Sequence, residues 1–354
     1  MKQKFTTIKA SIVICSYNGA KNIKKCINSL VNQSYPKDNY EIILIDDGST
    51  DNTYKIASTL PIKIIRHTNN QGLSAARNTG LQHAKGEIYI CFDDDCFADR
   101  NWLEELMKIY TNQTAGVCGI TKNSTSGIID KFLSEIGHGN PSPAKDETKN
   151  SIAQRLFIYV KDMYNRTSPK THSHTFRVNE IWGENCSFPS NILKQINGWD
   201  KNLSGVEDTD LCERIKRVTK HPFMCTTKAI IFHDGKTPFY QLIKKPYQRG
   251  DAVLRFYLQN NKFPPIFPFP LIILTVTIVS MSIIGSNALL MLILFPQVLY
   301  GWWLVKLIKT KKLYYLLFPY IQLSLEVATL LGLLKGYSTL VINSIREMKK
   351  INNL

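Results

Sequence analysis

Through the first two thirds of the chain, apolar and polar segments alternate in short blocks. Continuous apolar runs such as "SIVIC", "EIILI" and "EIYICF" are each followed by polar turn residues and by a stretch with apolar side chains at helical spacing. Continuous apolar runs favour strands buried on both faces, and strands that alternate with helices favour a parallel sheet. The pattern therefore predicts an α/β fold with a mostly parallel sheet flanked by helices.

The pattern changes near residue 263, and from there to about residue 337 Leu, Ile, Val and aromatic residues dominate. Two arms, "PFPLIILTVTIVSMSII" and "NALLMLILFPQVLYGWWLVKLI", are separated by "GSN", and each approaches the ~20 residues that cross a bilayer. The third stretch, "LYYLLFPYIQLSLEVATLLGLLKG", holds Gln322 and Glu326 near its centre, where an intramembrane carboxylate is costly. We predict a membrane hairpin over about 268–308 and an interfacial or re-entrant helix over about 313–335. A buried soluble helical domain is the alternative.

The charge of the chain favours anionic partners. Its 354 residues carry a formal net charge of +16. The sequence has no zinc-finger cysteine spacing, base-reading basic helix or aromatic RNP-type strand, so we expect no nucleic-acid partner. A membrane surface explains the charge, and "KTKK" and "REMKK" place the preceding domain on the cytoplasmic side of the cell membrane by the positive-inside rule. The eight cysteines lack CxxC pairing and are predicted to be free thiols.

Polar side chains stand at the ends of the predicted strands. Ser16 and Tyr17 follow the first strand, Asp46 ends the second, and three aspartates end the fourth. In open parallel sheets, ligands bind beyond the carboxyl ends of the strands. These residues are therefore candidates for one binding site.

The three adjacent aspartates need compensation, because like charges repel and are costly to desolvate. Mg²⁺ or Mn²⁺ with carboxylate ligands supplies it. Along a strand end, Asp93 and Asp95 can face the same side while Asp94 points away, because side chains alternate. For the isolated triplet, a solvated acidic turn is the favoured alternative.

Four blocks in order resemble glycosyltransferase family 2, in a membrane-attached form of bacterial type. They are "SIVICSYNGAKNIKKCINSLVNQSY", "EIILIDDGSTDNT", "NNQGLSAARNTGLQHAKGEIYICFDDDC" and "GVEDTDLCERI", within about residues 8–234. The resemblance implies the GT-A fold and metal-dependent transfer of a sugar from a nucleotide-sugar donor, with Mn²⁺ or Mg²⁺ as cofactor.

The resemblance also implies roles for single residues. Ser16, Tyr17 and Asp46 match nucleoside-binding positions, with Asp46 accepting a hydrogen bond from the base, and Arg77 matches a residue that helps to hold the nucleotide. Each has a structural alternative: a packing aromatic for Tyr17, a turn and helix cap for Asp46, and a surface helix residue for Arg77. The joint pattern favours the functional interpretation.

Further positions concern the diphosphate and the reaction. Asp93 and Asp95 match the ends of the DxD motif, the former towards the ribose and the latter towards the metal, and His233 is a further metal candidate or a structural hydrogen-bonding residue. Asp208 matches the usual catalytic base of inverting members, with Glu207 as the substitute. The segment that resembles the donor and acceptor pocket contributes Trp182, Gly183 and Asn185.

The chain departs from processive members of the family, which carry a QxxRW motif where this sequence has "QRGDA". We therefore predict a non-processive enzyme. Arg249 in this segment is either a contact of the diphosphate or of an anionic lipid acceptor, or a solvated charge.

These observations predict an inverting glycosyltransferase of polysaccharide biosynthesis in the cell envelope, acting on a lipid-linked or cell-surface glycan acceptor. A UDP-sugar donor ranks first and a dTDP-sugar second, because Asp46 suits the N3–H of uracil or thymine. The alternatives are a membrane-attached nucleotidyltransferase and a non-catalytic nucleotide-sugar-binding scaffold. The predicted regions are a catalytic domain at 1–240, a basic and aromatic connector at the membrane surface at 241–265, membrane helices at 266–340 and a basic tail at 341–354.

Overall fold

The computed structural model describes residues 10–137, 140–141, 143–144, 173–181, 183–203, 205–262, 264 and 267–351. The chain divides into two compact units. The first comprises 1–126, 137–146 and 168–236, and the second comprises 127–136, 147–167 and 237–354. The sequence pattern does not single out the segment 127–136 as part of the second unit.

In the described residues, the first unit contains one sheet with flanking helices. Its strands are β1 (Ala10–Ser16), β2 (Tyr40–Asp46), β3 (Lys63–Arg66), β4 (Ile88–Asp93), β5 (Cys96–Ala98), β6 (Gly116–Asn123), β7 (Thr175–Val178), β8 (Asn185–Pro189) and β9 (Phe223–His233). Its helices are α1 (Ile23–Val31), α2 (Thr53–Ala57), α3 (Leu73–His83), α4 (Trp102–Met107), α6 (Ser190–Gln195) and α7 (Glu207–Val218), whereas α5 (Ile128–Glu135) belongs to the second unit.

The sheet is parallel in its first half and mixed in its second. The strand order is β3-β2-β1-β4-β8-β6-β9-β5, with β7 paired to β9. Strands β3, β2, β1 and β4 are mutually parallel, and β8 runs antiparallel to both β4 and β6. The register places Ser16 beside Asp46 and Cys15 beside Asp93. The predicted parallel α/β arrangement is confirmed, and it gathers the polar strand ends at one edge.

Continuous apolar runs form these strands because both faces of the sheet are covered. Along β1, Ile12 and Ile14 join a buried cluster with residues of α1 and α4, whereas Val13 joins a second cluster with residues of α3, α6 and α7. The apolar spacing in "VEDTDLCERIKRV" predicts Leu211, Ile215 and Val218 on one buried helix face. Leu211 and Ile215 are buried, but the prediction is wrong for Val218, which is 44% exposed because α7 ends there.

The second unit is helical in its described part after residue 237. Its helices are α8 (Phe239–Gln259), α9 (Pro268–Ile284), α10 (Met291–Leu299), α11 (Trp302–Thr310) and α12 (Phe318–Ile351). Among the described residues, Pro268–Leu290 and Phe318–Ile342 are long and apolar enough to cross a membrane, and α10 with α11 gives a third candidate if the bent pair is one span.

The second apolar arm is not one straight helix. It breaks between α10 and α11 with a bend of 76°. Pro296 in α10 and Gly301 at the junction weaken the helical hydrogen-bond ladder there. Polar residues of the third apolar stretch find partners beside this break: Trp303 Nε1–H donates to Gln322 Oε1 at 2.9 Å, and the Tyr300 hydroxyl donates to Glu326 Oε2 at 2.8 Å.

Candidate active site

The turn after β1 is shaped by contacts that exclude larger side chains. Ser16 is buried and its hydroxyl donates to Asp94 Oδ2. A Cβ on Gly19 would collide with that Asp94 oxygen and with Ser16 Oγ, so a larger residue here would displace the Ser16–Asp94 hydrogen bond. Asn18 has a left-handed φ of 58° and its Oδ1 accepts from the Thr50 N–H at 2.9 Å, which joins this turn to the loop after β2.

Asp46 is fully buried at the end of β2. Its Oδ1 accepts from the Ser49 N–H at 2.9 Å. Its Oδ2 lies 3.0 Å from Arg66 Nε as an ion pair, yet makes no hydrogen bond of good geometry in the described structure. The predicted turn is therefore present, whereas Asp46 caps no helix, because the next helix begins at Thr53 with Asn52 as its N-cap. One carboxylate oxygen of Asp46 still has acceptor capacity.

Beside Asp46 is a cavity of about 680 Å³ lined by residues 48–51 and 66–68. Arg66 is held at its wall, because its Nη2 donates to the Ser49 carbonyl at 2.8 Å and its guanidinium lies 4.9 Å from the ring of Tyr54. The cavity is therefore polar and lies beside a buried carboxylate.

Asp47 organises the neighbouring loop, a role that the sequence analysis missed. Its Oδ1 contacts His67 Nδ1 at 2.6 Å and accepts from the Gln71 N–H at 2.9 Å, and its Oδ2 accepts from the Gly72 N–H at 2.8 Å. These bonds fix the chain immediately before α3, the helix that carries Arg77. In sequence, the second aspartate of "DDG" has no feature that distinguishes a loop anchor from a ligand.

The three adjacent aspartates occupy a turn and have different surroundings. Strand β4 ends at Asp93, and Asp94 and Asp95 form the turn into β5. Strand alternation does not continue beyond Asp93, because the backbone turns at Asp94 and Asp95. Asp94 instead accepts from Ser16, and Asp95 lies beside His233.

The cluster is electrostatically expensive without a cation. Burial, together with Glu184 and the other two aspartates, raises the pKa of Asp93 to about 8. Burial and the neighbouring Asp95 raise the pKa of Asp94 to about 6. Each raised pKa means that the ionised carboxylate is destabilised in the folded protein. A bound cation would offset that destabilisation.

His233 comes to the aspartates through strand pairing. Antiparallel pairing of β5 with β9 sets Cys96 opposite His233, and the Asp234 N–H donates to the Asp95 carbonyl at 2.8 Å. Nε2 of His233 lies 3.1 Å from Asp95 Oδ2. Burial alone would lower the pKa of His233, but the Asp95 carboxylate raises it to about 9, and His233 in turn lowers the pKa of Asp95 despite burial.

Asp95, Cys96 and His233 offer ligand atoms within 4.8 Å of one another. Carboxylate oxygens suit Mn²⁺ or Mg²⁺, whereas imidazole prefers transition metals, so the mixed pair favours Mn²⁺ over Mg²⁺. In the described structure His233 and Asp95 form an ion pair, and a divalent cation could bind between them in place of the His233 proton. The buried Cys96 thiol has a raised pKa from burial and nearby carboxylates, so it is a poor ligand for these hard metals. The residues therefore fit the implied metal, with Asp95 and His233 as its holders and Asp93 nearby.

Arg77 and Asp208 form a buried pair. Arg77 Nη1 donates to Asp208 Oδ1 at 2.8 Å, and both residues are at most 8% exposed. Burial disfavours the charged guanidinium and would lower the pKa of Arg77. The Asp208 carboxylate and other neighbours outweigh burial, so the pKa of Arg77 is raised above its usual value. Arg77 is therefore a buried partner of the predicted base, and its interpretation as a surface helix residue is wrong.

Two further donors fix Asp208. Trp199 Nε1–H donates to Oδ1 at 2.9 Å, and the Gly183 N–H donates to Oδ2 at 3.0 Å. Gly183 has φ of +83°, a left-handed conformation that favours glycine. Trp199 is buried in the core and also orients the Asp208 carboxylate, a role that the sequence does not reveal.

The other acidic residues of α7 differ from Asp208. Glu207 is bonded by the Gly205 N–H and its Oε1 lies 3.9 Å from Arg77 Nη1. Asp210 forms an ion pair of 2.6 Å with Arg214, which itself bonds the carbonyls of Ile196 and Gly198. Asp210 is therefore structural, whereas Glu207 remains beside the pair.

The remaining predicted residues are placed as follows. Tyr17 is 49% exposed, so it is not a packing aromatic. Asn185 is buried, with Oδ1 accepting from Trp102 Nε1–H at 2.8 Å and Nδ2 directed to the Ala229 carbonyl, so its place in a donor pocket stays a prediction. Arg249 is exposed on α8 in the second unit, and its role also stays a prediction. Trp182 lies outside the described residues.

Comparison with known sequences supports the family. Residues 11–166 match the family described as "Glycosyl transferase family 2". Glycosyltransferase AglE of Haloferax volcanii is 40% identical over 99 residues, which are 27% of this chain and 33% of that protein. The poly(ribitol-phosphate) beta-glucosyltransferase of Bacillus spizizenii is 38% identical over 220 residues, 60% of this chain and 33% of that protein. The chain thus matches about a third of the length of these two curated relatives.

Comparison with solved structures supports the fold. The mannosyltransferase PcManGT from Pyrobaculum calidifontis, solved in complex with GDP-Man and Mn²⁺, matches with a TM-score of 0.57 and 16% identity over 93% of this chain and 88% of that chain. From the strand order, the acidic turn and these matches we conclude that the chain contains a glycosyltransferase family 2 domain with the GT-A fold.

Proposed function

We propose that the protein is a metal-dependent, inverting, non-processive glycosyltransferase that moves a sugar from a nucleoside-diphosphate donor to a lipid-linked or cell-surface glycan. One observation carries the proposal. A buried carboxylate with a free acceptor oxygen, an acidic turn with a histidine, and a fixed buried aspartate all belong to the first unit, at or beside the carboxyl edge of its sheet.

The nucleoside end of the donor suits the cavity beside Asp46. The Oδ2 of Asp46 can accept the N3–H of uracil or thymine, and the exposed Tyr17 ring can pack on a base or ribose. Asp93 at the end of β4 can accept from the ribose. UDP is the first choice and dTDP the second. Because the solved mannosyltransferase binds GDP-Man, GDP belongs in the test.

The diphosphate end suits the acidic turn. A divalent metal held by Asp95 and His233 would neutralise charge on the leaving phosphate. In this chain, His233 and Asp95 keep their mutual orientation through β5–β9 pairing, and Ser16 holds Asp94 towards the first turn.

Asp208 is the proposed base. It would take the acceptor hydroxyl's proton as that oxygen attacks the anomeric carbon, with inversion of configuration. Arg77, Trp199 and Gly183 hold both of its oxygens, so its geometry is preorganised. The acceptor as a lipid-linked or cell-surface glycan is supported by the apolar helices of the second unit and by the relative that is named for acting on poly(ribitol-phosphate).

The first test is calorimetric binding of UDP, dTDP, GDP and CMP, each with Mn²⁺ or with EDTA. We expect metal-dependent binding of one nucleotide, lost in Asp95→Ala and retained in Asp38→Ala, which changes an aspartate on the short helical turn at 37–39. Absence of nucleotide binding to folded protein would contradict the proposal.

Turnover is tested with the sugar donor of the nucleotide that binds. Asp208→Asn should abolish transfer while retaining donor binding, and NMR of the product should show inverted anomeric configuration. If Glu207→Gln abolishes transfer and Asp208→Asn does not, the base is Glu207. Donor binding without transfer to any lipid-linked or glycan acceptor would favour the scaffold alternative.

A further inference from the structure

We propose that α12 does not cross the bilayer but lies along its headgroup–acyl boundary, with its exposed apolar face in lipid and α8 packed on its other side. The inference concerns the second unit alone and does not depend on the proposed catalytic function. Length and apolar character by themselves would allow α12 to span a membrane.

One face of α12 is exposed over more than three turns and is mostly apolar. The exposed apolar side chains include Val327, Leu331, Leu334, Val341 and Ile342, and the exposed polar residues on this stretch include Lys335 and Ser338. The opposite face carries Ala328, Gly332 and Gly336, which are buried. Such a stripe of apolar residues, exposed along one side of a helix, is typical of a helix that lies in the membrane interface.

Helix α8 packs closely along the buried face. A Cβ on Gly332 would lie 2.7 Å from the Pro246 carbonyl oxygen, and a Cβ on Gly336 would lie 2.7 Å from the Asp251 Cα. Gly250 is in backbone contact with Gly332. Contacts that advance along both chains together show two helices that run side by side in the same direction.

This packing extends over a large part of both helices. Leu242, near the start of α8, shares a buried cluster with Ile321 near the start of α12, and Lys335 Nζ lies 5.1 Å from the ring centroid of Tyr247. Helix α8 therefore accompanies α12 through much of the stretch that would have to cross the bilayer.

Helix α8 is too polar to enter hydrocarbon. It carries Lys244, Lys245 and Arg249, all exposed, and an ion pair of 2.5 Å between Arg255 and Asp251. Charged side chains near the centre of a membrane are rare and expensive. If α12 crossed, these charges would be drawn into the bilayer with it, whereas at the interface α8 remains in water.

The first turns of α12 contact the place where the start of α9 and the end of α10 meet. The ring of Phe269, at the start of α9, lies 5.1 Å from the ring of Tyr300, at the end of α10, so the chain returns to the side from which it entered. Tyr300 also bonds Glu326 of α12. The strongly apolar and exposed surface of α9 identifies lipid as the medium beside this point, and α12 leaves from it with an apolar face exposed.

The test measures depth along the helix. Cysteine is introduced singly at Val327, Leu331, Leu334 and Val341, labelled with a nitroxide, and the full-length protein is reconstituted in vesicles of phosphatidylcholine and phosphatidylglycerol. Power saturation with oxygen and a nickel chelate then reports the depth of each label. The unsubstituted protein gives the labelling background; seven of its eight cysteines are buried and Cys15 is partly buried.

Residues 327 and 341 are separated by roughly 21 Å along a helix at about 1.5 Å per residue. We expect all four labels at similar shallow depth, within about 5 Å of one another, as for an interfacial helix. Labels at Leu271 and Ile284 of α9, both exposed, provide the matched control and should differ in depth by most of a similar helical length.

Two results would overturn the proposal. In the first, depth increases to the bilayer centre near Leu334 and decreases again by Val341, as for a membrane span. In the second, all four labels are shielded from both reagents, which would mean that a second copy of the chain covers this face. The labelled sites are on the surface, so folding should be preserved, and α9 labels in the same preparations check it.

Discussion

At the scale of single residues, the candidate site consists of carboxylates whose behaviour depends on the donors around them. Both carboxylate oxygens of Asp47 accept hydrogen bonds from the loop before α3, and the carboxylate of Asp208 accepts from three donors. Asp46, by contrast, keeps one oxygen without a hydrogen bond in the described structure although it is fully buried. Residues of one chemical type therefore have separate roles that the tertiary contacts assign.

Asp46→Asn tests the nucleobase role. The substitution preserves shape but removes the charge and presents an amide where the base donates, so nucleotide affinity should fall by ~1.5–3 kcal/mol, roughly 10- to 150-fold. Calorimetry with the nucleotide that binds measures it. Asp38→Asn is the control, and an unchanged affinity in Asp46→Asn would remove Asp46 from the site.

Trp199→Phe tests the positioning of the proposed base. Phenylalanine keeps most of the ring packing of Trp199 against Tyr89 and Phe188 but cannot donate to Asp208. We expect kcat to fall by about fivefold, for loss of a hydrogen bond of ~1 kcal/mol, with KM for the donor nearly unchanged. A purely structural role would lower the melting temperature and leave kcat per folded enzyme intact.

At the scale of elements, two packing arrangements position the functional parts. Antiparallel pairing of β5 with β9 brings His233 to the acidic turn, although 138 positions separate it from Asp95 in the chain (233 less 95). In the second unit, glycines allow α8 and α12 to approach at backbone distance. Both arrangements depend on long-range contacts, and both can be disturbed by one side chain.

Gly332→Ala tests the helix pair. The added methyl group would be 2.7 Å from the Pro246 carbonyl oxygen and 2.9 Å from the Tyr247 Cα, which backbone atoms cannot avoid without shifting the helices. We expect destabilisation of ~1–3 kcal/mol. Thermal unfolding in detergent measures it, with Ser338→Ala, an exposed position of the same helix, as the control. Equal melting temperatures for the two variants would contradict the close packing.

At the scale of the whole molecule, the stability of the metal-free protein should depend on the charge balance of the acidic turn. The pKa of His233 is raised to about 9 in the folded state, above an unfolded value of about 6.5. The pKa of Asp93 is raised to about 8, above an unfolded value of about 3.9. A group whose folded pKa is raised contributes stability below its unfolded pKa and loses it as the pH rises through its folded pKa.

In EDTA, the free energy of unfolding should therefore fall with rising pH, from about pH 4 to 8 through Asp93 and from about pH 6.5 to 9 through His233. Denaturant unfolding at a series of pH values measures the slope. His233→Asn should flatten the part between pH 8 and 9, and Asp93→Asn should reduce the slope between about pH 4 and 8, leaving the contribution of Asp94 up to about pH 6. The protein with Mn²⁺ is the comparison, because a bound cation should suppress both. A slope unaffected by either variant would mean that other groups titrate.

Local and periodic features of this chain can be predicted from its sequence alone. Continuous apolar runs such as β1 and β2 are strands because both of their faces are buried, and the blocks around Asp46 and Asp93 lie within the residues 11–166 that match the family. The apolar stretches after residue 263 likewise follow from composition alone. Such features depend on near neighbours in the chain, so a pattern is sufficient to predict them.

The assignment of a separate role to each carboxylate depends on the tertiary structure. Side chains of a strand face alternate sides of the sheet, but this alternation ends at Asp93, because the backbone turns at Asp94 and Asp95. The hydrogen bonds of Asp208 to Arg77 and Trp199, the anchoring of a loop by Asp47 and the pairing of α8 with α12 all join residues that are not neighbours in sequence. Such contacts follow from the packing of distant segments against one another, and a hydrophobic pattern carries no information about which distant partner each side chain will meet.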